Sequence, residues 1–417
     1  MAVAALFLTN GALFANMLPR YPEIKADLGL SNMGFGISVA AFSAGALLSG
    51  LTAGIFIRRF GSGRVAVLST LTVAAFALVA AVAPNPVAFG GALFLAGAGD
   101  AVTDVAQNAQ GLRVQRNYGR SIINSLHALW SVGAVLGGLM GAASIALHIS
   151  RTAQLTASGL LFSGICLISY RFLLSGPDHT ASDVPRPACG GRTPGLLTAY
   201  ALVVALAIFS IAGSAVEDAG NSWATIYLRD SVGAPAALAP FAYIAMVSCM
   251  FVGRTVGDRL VDRFGVRVVA TAGGALAAAG MGAALAFPTT PGTIAGFAAA
   301  GLGVATVAPA AFQAADEIPG LRPGTGLTVV TWLARVGFLA APALVGAVAD
   351  ATSLRIGLLI VPVSGLIILV FAQVLSGRRV GSVNRTDEID GHDPGDDEPD
   401  AGAHHPGERL GEQEPRQ

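Results

Sequence analysis

The sequence predicts an all-α membrane protein: twelve transmembrane helices in two six-helix, pseudo-symmetric halves. Composition is the first observation behind this. Of 417 residues, 53% are hydrophobic and 12% charged, with mean hydropathy +0.65, which leaves too little polar surface for a water-soluble fold. The second is length. Apolar stretches able to cross a bilayer, which takes about 20 residues, lie near 2–18, 34–57, 65–83, 87–111, 121–147 and 153–174, and again near 195–216, 236–260, 267–287, 292–315, 325–349 and 354–376. The third is an internal repeat. Arg59-Phe60-Gly61 recurs 204 positions later as Arg263-Phe264-Gly265, and the same offset carries Ala96-Gly97-Ala98-Gly99 onto Ala300-Gly301-Leu302-Gly303. It also carries Leu129, Val132 and Gly133 onto Leu333, Val336 and Gly337. Three matches in one register point to duplicated halves with a site between them.

Each segment is expected to be helical, because backbone groups in lipid must be satisfied internally and the stretches are too long and evenly apolar for barrel strands. Gly133, Gly137 and Gly141 share one face of segment five, which lets a neighbouring backbone approach closely. The first segment begins almost at Met1 without the positive residues of a secretory signal, so it reads as a spanning helix. Residues 1–174 form the first bundle, 175–194 a Pro- and Gly-rich cytoplasmic linker, 195–376 the second bundle, and 377–417 an acidic, disordered cytoplasmic tail.

Arginine placement sets the expected orientation. Arg58, Arg59 and Arg64 follow segment two, Arg113, Arg116 and Arg120 follow four, and Arg259, Arg263 and Arg267 surround the end of eight. Arg186 and Arg192 follow six, Arg322 follows ten, and Arg378 and Arg379 follow twelve. The opposite connections hold fewer, with none in 84–86 or 288–291. A multi-pass protein of the cytoplasmic (inner) membrane with both termini cytoplasmic is expected. The formal net charge of zero gives no hint of a nucleic-acid partner. Cys166, Cys189 and Cys249 have no paired or metal-like spacing, and His392, His404 and His405 sit in the solvated tail, so no metal and no cofactor is expected.

Ionisable groups within spanning helices cost roughly 2.5 to 3.5 kcal/mol each on insertion scales and call for a reason. Segment four holds the densest set: Asp100, Asp104 and Gln107 fall on one helical face, with Asn108 beside them, whereas Val304, Ala308 and Ala311 stand at the repeat positions. Two carboxylates one turn apart repel when both are ionised, which makes proton uptake near neutral pH feasible, as a proton-coupled carrier requires. The competing reading is a structural ion pair with an arginine. Segment five offers Asn124, His127, Trp130 and Ser131. His127 is a candidate to accept protons or bind solute, or else to be satisfied by a backbone carbonyl; Trp130 either stacks on a solute or packs.

Segment seven ends in Glu217-Asp218-Ala219-Gly220-Asn221-Ser222-Trp223, where Glu217 and Asn221 share a face and Gly220 suggests a locally broken helix. Asp218 fits a helix end at the outer surface. Arg254 and Asp258 read as an intrahelical ion pair or as a latch between halves. Arg335 is a candidate for binding an anionic group or for pairing with Glu217 or Asp104.

These features resemble the major facilitator superfamily over residues 1 to about 376. Gly54-Ile55-Phe56-Ile57-Arg58-Arg59-Phe60-Gly61 is similar to that superfamily's loop signature Gly-x-x-x-Asp-Arg-x-Gly, with Arg58 where the acid is expected; the second half has Asp262 before Arg263 and Gly265. Asp104-x-x-x-Asn108 resembles the helix-four pattern of fucose-permease-like sugar/proton symporters, which implies a proton-coupling role for Asp104. Leu18-Pro19-Arg20-Tyr21 resembles the end of helix one in that branch, without the acid expected before it. Asn124-x-x-His127, and Glu217 followed by Trp223 and Tyr227-Leu228-Arg229, look closer to a bacterial subgroup of the branch.

The expected function is secondary active transport of a small polar solute, with sugar-like compounds among the candidates, by proton-coupled symport and alternating access in a monomer embedded in the lipid bilayer. Asp104, Asp100 and Glu217 are the proton-coupling set. Asn108, Asn124, His127, Trp130, Asn221 and Arg335 are the solute-binding set, and Arg59, Arg254, Asp258, Asp262 and Arg263 the gating set. The alternatives are proton-driven efflux of amphipathic compounds and a non-transporting receptor or scaffold acting through the tail. A membrane enzyme is not expected, since no nucleophile elbow, metal-ligand cluster or phosphate loop is present.

Overall fold

The computed structural model describes residues 1–119, 122–174, 196–318 and 325–375; the expected linker and tail, Cys189, the three tail histidines and the Asn124 side chain lie outside the described residues. The first half contains α1 (Ala2–Met17), α2 (Asn32–Gly50), α3 (Ser62–Ala81), α4 (Pro86–Tyr118), α5 (Ile123–Ala146) and α6 (Arg151–Tyr170). The second contains α7 (Leu196–Ile226), α8 (Phe241–Phe264), α9 (Val266–Ala286), α10 (Thr290–Val304), α11 (Thr325–Ala351) and α12 (Ile360–Phe371). Among the described residues, eleven spans, counted with their short helical extensions, are long and apolar enough to cross a membrane. The twelfth helix, α8, is of spanning length at 24 residues but carries Arg254, Asp258, Arg259, Asp262 and Arg263. Large apolar side chains such as Leu68, Leu160 and Val363 face outward, as a hydrocarbon solvent permits.

Helix ends explain the loops. At one face, Ser31, Asn85, Ser150, Thr289 and Ser353 each accept a backbone N–H and so cap α2, α4, α6, α10 and the short Leu354–Gly357 turn before α12. We call this the capped face. At the other, the arginine face, α3 and α9 start directly after Gly61 and Gly265, whose φ of 82° and 86° only glycine adopts readily. The preceding Arg59 and Arg263 guanidiniums lie 5.5 and 5.3 Å from the Phe60 and Phe264 ring centres, so the first sequence repeat is a repeated turn. The helix of segment ten is interrupted at Ala305–Thr306 and resumes over Val307–Asp316, because Pro309 lacks an N–H and its ring crowds the carbonyl four residues back.

The packing repeats as well. Within the first half α1 pairs with α5 and α6, α2 with α4, and α3 with α4 and α6; shifted by six helices, the same pairs occur in the second half. Gly97 of α4 abuts the Phe42 carbonyl of α2, and Gly301 of α10 abuts the Met246 carbonyl of α8, so both partners obey the 204-residue offset. Gly133 and Gly137 likewise admit the α1 backbone at Leu8 and Ala12.

The halves meet along α2 with α11 and α5 with α8, chiefly near the capped face. Gly36 packs on Pro342, Gly346 on Asn32, and Gly138 on Tyr243 and Ile244. Asp350 at the end of α11 accepts hydrogen bonds from the Asn32 N–H (2.9 Å), the Asn32 amide (2.9 Å) and the Met33 N–H (2.8 Å), so a residue of one half caps a helix of the other.

Because a Cβ at Gly97 or Gly301 meets backbone rather than a movable side chain, Gly97→Ala and Gly301→Ala are each expected to cost about 1–3 kcal/mol. Gly164→Ala, with nothing nearby, is expected to be close to neutral. Thermal unfolding of the purified variants in detergent checks the contrast.

Candidate functional site

Between the halves lies a cavity of about 280 Å³, lined by α1, α2, α4 and α5 from the first half and by α7 and α11 from the second. Its charged and amide lining comprises Asp100 and Asp104 from α4, Glu217, Asp218 and Asn221 from α7, and Arg335 from α11. Solvent reaches Asp104, His127 and Arg254, so the cavity opens towards the arginine face while the capped face is closed.

The helix-four acids are tied to neighbouring helices by two rungs. Asn10 of α1 donates its amide to Asp100 Oδ1 (3.1 Å) and accepts from Trp130 Nε1 of α5 (2.8 Å). One turn further, Asn108 donates to Asp104 Oδ1 (3.0 Å), and its Oδ1 stands 3.2 Å from His127 Nε2. An amide oxygen only accepts, so this contact requires the proton on Nε2. The Phe7 ring meets the imidazole edge-on at 5.2 Å. Asp100 and Asp104 are spaced by one turn on α4, and Trp130 and His127 by one turn on α5, which is why the rungs lie one above the other.

The second half contributes charge differently. Glu217 of α7 pairs with Arg254 of α8 at 3.6 Å. Asp218, buried, accepts from Ser222 Oγ at 3.3 Å. The Arg335 guanidinium fits against Gly50, where a Cβ would lie 2.9 Å from Nη1, and makes no ion pair within 4.0 Å among the described residues.

Of the expected solute-binding residues, Trp130, Asn221 and Arg335 line the cavity. Asn108 and His127 stand outside the lining and connect to it through Asp104; the Asn124 side chain lies outside the described residues. Several expectations are corrected. The α7 helix is not broken at Gly220: it continues to Ile226 before a π turn over Tyr227–Ser231, and Gly220 instead makes room for Met246. Asp218 is not at an outer helix end but 5% exposed at the cavity wall. Arg254 does not pair with Asp258 one turn away; its partner is Glu217 on another helix. Arg335 pairs with neither Glu217 nor Asp104. In the gating set, Asp258 and Asp262 are exposed without an ion-pair partner among the described residues, and Arg59 and Arg263 rest on their neighbouring rings.

Sequence reasoning missed Asp218, Tyr21 and Asn10 as parts of this site. An amide such as Asn10 inside an apolar segment is the available signal, and Ser222 one turn from Asp218 is another.

A helical membrane protein whose two pseudo-symmetric halves close at one face over a charged cavity is, by class, a membrane transporter. The chain belongs to the Major Facilitator Superfamily, whose family model matches residues 3–261. It is 30% identical to membrane protein MosC of Rhizobium meliloti over 375 residues, 88% of each chain, and 30% identical to the uncharacterized transporter y4wD of Sinorhizobium fredii over 379 residues, 89% of this chain and 97% of the other. An MFS-type transporter of Yersinia pestis is 25% identical over 352 residues, 84% of this chain and 88% of that one. Among solved structures, the nucleoside transporter NupG superposes with TM-score 0.70 at 15% identity, covering 89% of this chain and 98% of its own. A bacterial homolog of the human lysosomal transporter Spinster gives 0.64 at 13%, covering 89% and 94%. Membership in this family makes the protein a transporter, not an enzyme.

Removing the inter-half cap is expected to loosen the closed face. With Asp350→Ala, a cysteine placed at Val39 in the cavity wall should react several-fold faster with a membrane-impermeant thiol reagent added from the capped face. An unchanged labelling rate in proteoliposomes would assign the cap no part in closure.

Proposed function

We propose that the protein is a proton-coupled symporter of a small polar solute in the cytoplasmic membrane, with both termini cytoplasmic. Residues 1–174 rock against 195–376 about the central cavity. The arginine-rich face is then the cytoplasmic one, and the arrangement described here is open to the cytoplasm.

One observation carries the coupling: the two rungs that bind α4 carboxylates to α1 and α5. An ionised Asp100 accepts the Asn10 amide of α1, and a proton on it competes with that contact and weakens the hold between helices; an ionised Asp104 accepts from Asn108 of its own helix, and a proton there loosens the amide whose oxygen meets His127 of α5. Asp104 is solvent-accessible from the open cavity and is the proposed proton carrier. Asp100, one turn deeper, and Glu217, held by Arg254, assist. Trp130, Asn221 and Arg335 contact solute, whereas Asn108 and His127 orient Asp104. The Asp104-x-x-x-Asn108 pattern supports a kinship with fucose-permease-like symporters, and hence a hydroxylated, sugar-like solute.

The aromatic walls of the cavity favour a second reading, proton-driven efflux of amphipathic compounds. Net uptake by cells separates the two, since an exporter lowers accumulation.

In proteoliposomes with a pH-sensitive dye trapped inside, addition of the transported solute is expected to acidify the lumen. Asp104→Asn should lower pH-driven uptake by about 10-fold or more while sparing solute exchange at equal pH. Unchanged pH-driven uptake by the variant would remove Asp104 from the coupling step.

A further inference from the structure

The charges around the cavity do not balance. Four carboxylates line it, Asp100, Asp104, Glu217 and Asp218, against one lining guanidinium, Arg335, and a second, Arg254, that is engaged by Glu217. With all four ionised, two negative charges are left over. One proton on Asp104, as proposed above, leaves one more. An uncompensated charge away from bulk water is costly, and a cation entering the cavity relieves that cost.

Burial and donor type set Asp218 apart. Glu217 has its arginine, Asp100 the Asn10 amide and Asp104 the Asn108 amide. Asp218 is 5% exposed and has a single neutral donor, Ser222 Oγ at 3.3 Å, on Oδ2, with no cation within 4.0 Å among the described residues.

A second feature, independent of the carboxylates, points to the same occupant. Tyr21 lines the cavity and is 4% exposed, yet its hydroxyl makes no hydrogen bond among the described residues. The wall also carries four aromatic rings: Phe14 and Phe42, with ring centres 5.5 Å apart, together with Trp130 and Phe338. Ring faces beside carboxylates are the surroundings in which ammonium groups are held.

We infer that the cavity selects a small organic cation, a polar solute bearing a protonated amine or quaternary ammonium group, with Asp218 as its anchoring carboxylate and the Tyr21 hydroxyl as a second polar contact. This deepens the carrier reading, resting on it for the identity of the cavity as the solute site.

The test reads cavity chemistry without requiring transport. In the full chain, with its three native cysteines replaced by alanine, a single cysteine is placed at Ser43 in the cavity wall. It is modified by two methanethiosulfonates of similar size, one ending in trimethylammonium and one in sulfonate. Ala46→Cys repeats the measurement at a second lining position and covers failure of the first variant to fold. The cationic-to-anionic rate ratio, divided by that of a free thiol in solution, is expected to be about tenfold or more. Adding Asp218→Asn is expected to lower it at least about threefold.

A normalised ratio near one or below overturns the cation class, as does a cavity thiol that neither reagent reaches. A high ratio unmoved by Asp218→Asn overturns the anchor assignment. Loss of pH-driven uptake with Asp104→Asn is a separate readout, so the carrier reading and the cation inference fail independently.

Discussion

Inside a bilayer a polar group without a partner costs several kcal/mol. That cost decides where polar residues of this chain stand. The backbone meets it by forming helices throughout the spanning segments, and side chains meet it by collecting where the two halves face each other. Asp100, Asp104, Glu217, Asp218 and Arg335 come from three helices and both halves, yet all reach one cavity. Arg20 shows the alternative: it is buried at the capped end of the first half, where Gln154, Glu23 and the Ile149 carbonyl satisfy it, and it holds helices together.

Close packing makes that collection sharp. Where Gly97 meets the Phe42 carbonyl and Gly301 the Met246 carbonyl, there is no side chain to yield, so α2 with α4 and α8 with α10 have essentially one separation. Rigid halves of this kind concentrate any relative movement at the seam between them. Among the described residues the side-chain hydrogen bonds across the seam are those of the Asp350 carboxylate with the α2 terminus, at the closed face.

Much of this was legible in the sequence because it rests on periodicity. Segment lengths gave the helices, and the 204-residue register marked both the Gly61 and Gly265 turns and the Gly97 and Gly301 contacts before any partner was visible. What stayed hidden depends on distance in space. Arg254 has Asp258 one turn away, and local spacing favours that pair, but its partner Glu217 lies on another helix. Gly220 amid polar residues suggests a break, yet in a membrane helix glycine also serves close packing, and Met246 occupies the room it leaves. Asp218 next to Glu217 cannot be sorted into wall or surface by sequence, since adjacent residues of a helix point about 100° apart and the facing neighbours decide which is buried.

The halves share a scaffold but not a chemistry, and the difference follows from helix continuity. In the first half α4 runs unbroken over 33 residues, so Asp100 and Asp104 stay in one register and engage α1 and α5 through parallel rungs. At the equivalent place in the second half the helix is interrupted at Ala305–Thr306 ahead of Pro309, and apolar residues occupy the matching positions. A carboxylate pair there would lack a continuous helix to fix its spacing. The second half supplies its carboxylates from α7 instead, the counterpart of α1, as Glu217 and Asp218. The proposed proton carrier lies on one half and the proposed solute anchor on the other, which would place the two events on opposite sides of the seam, where each can alter the attraction between the halves.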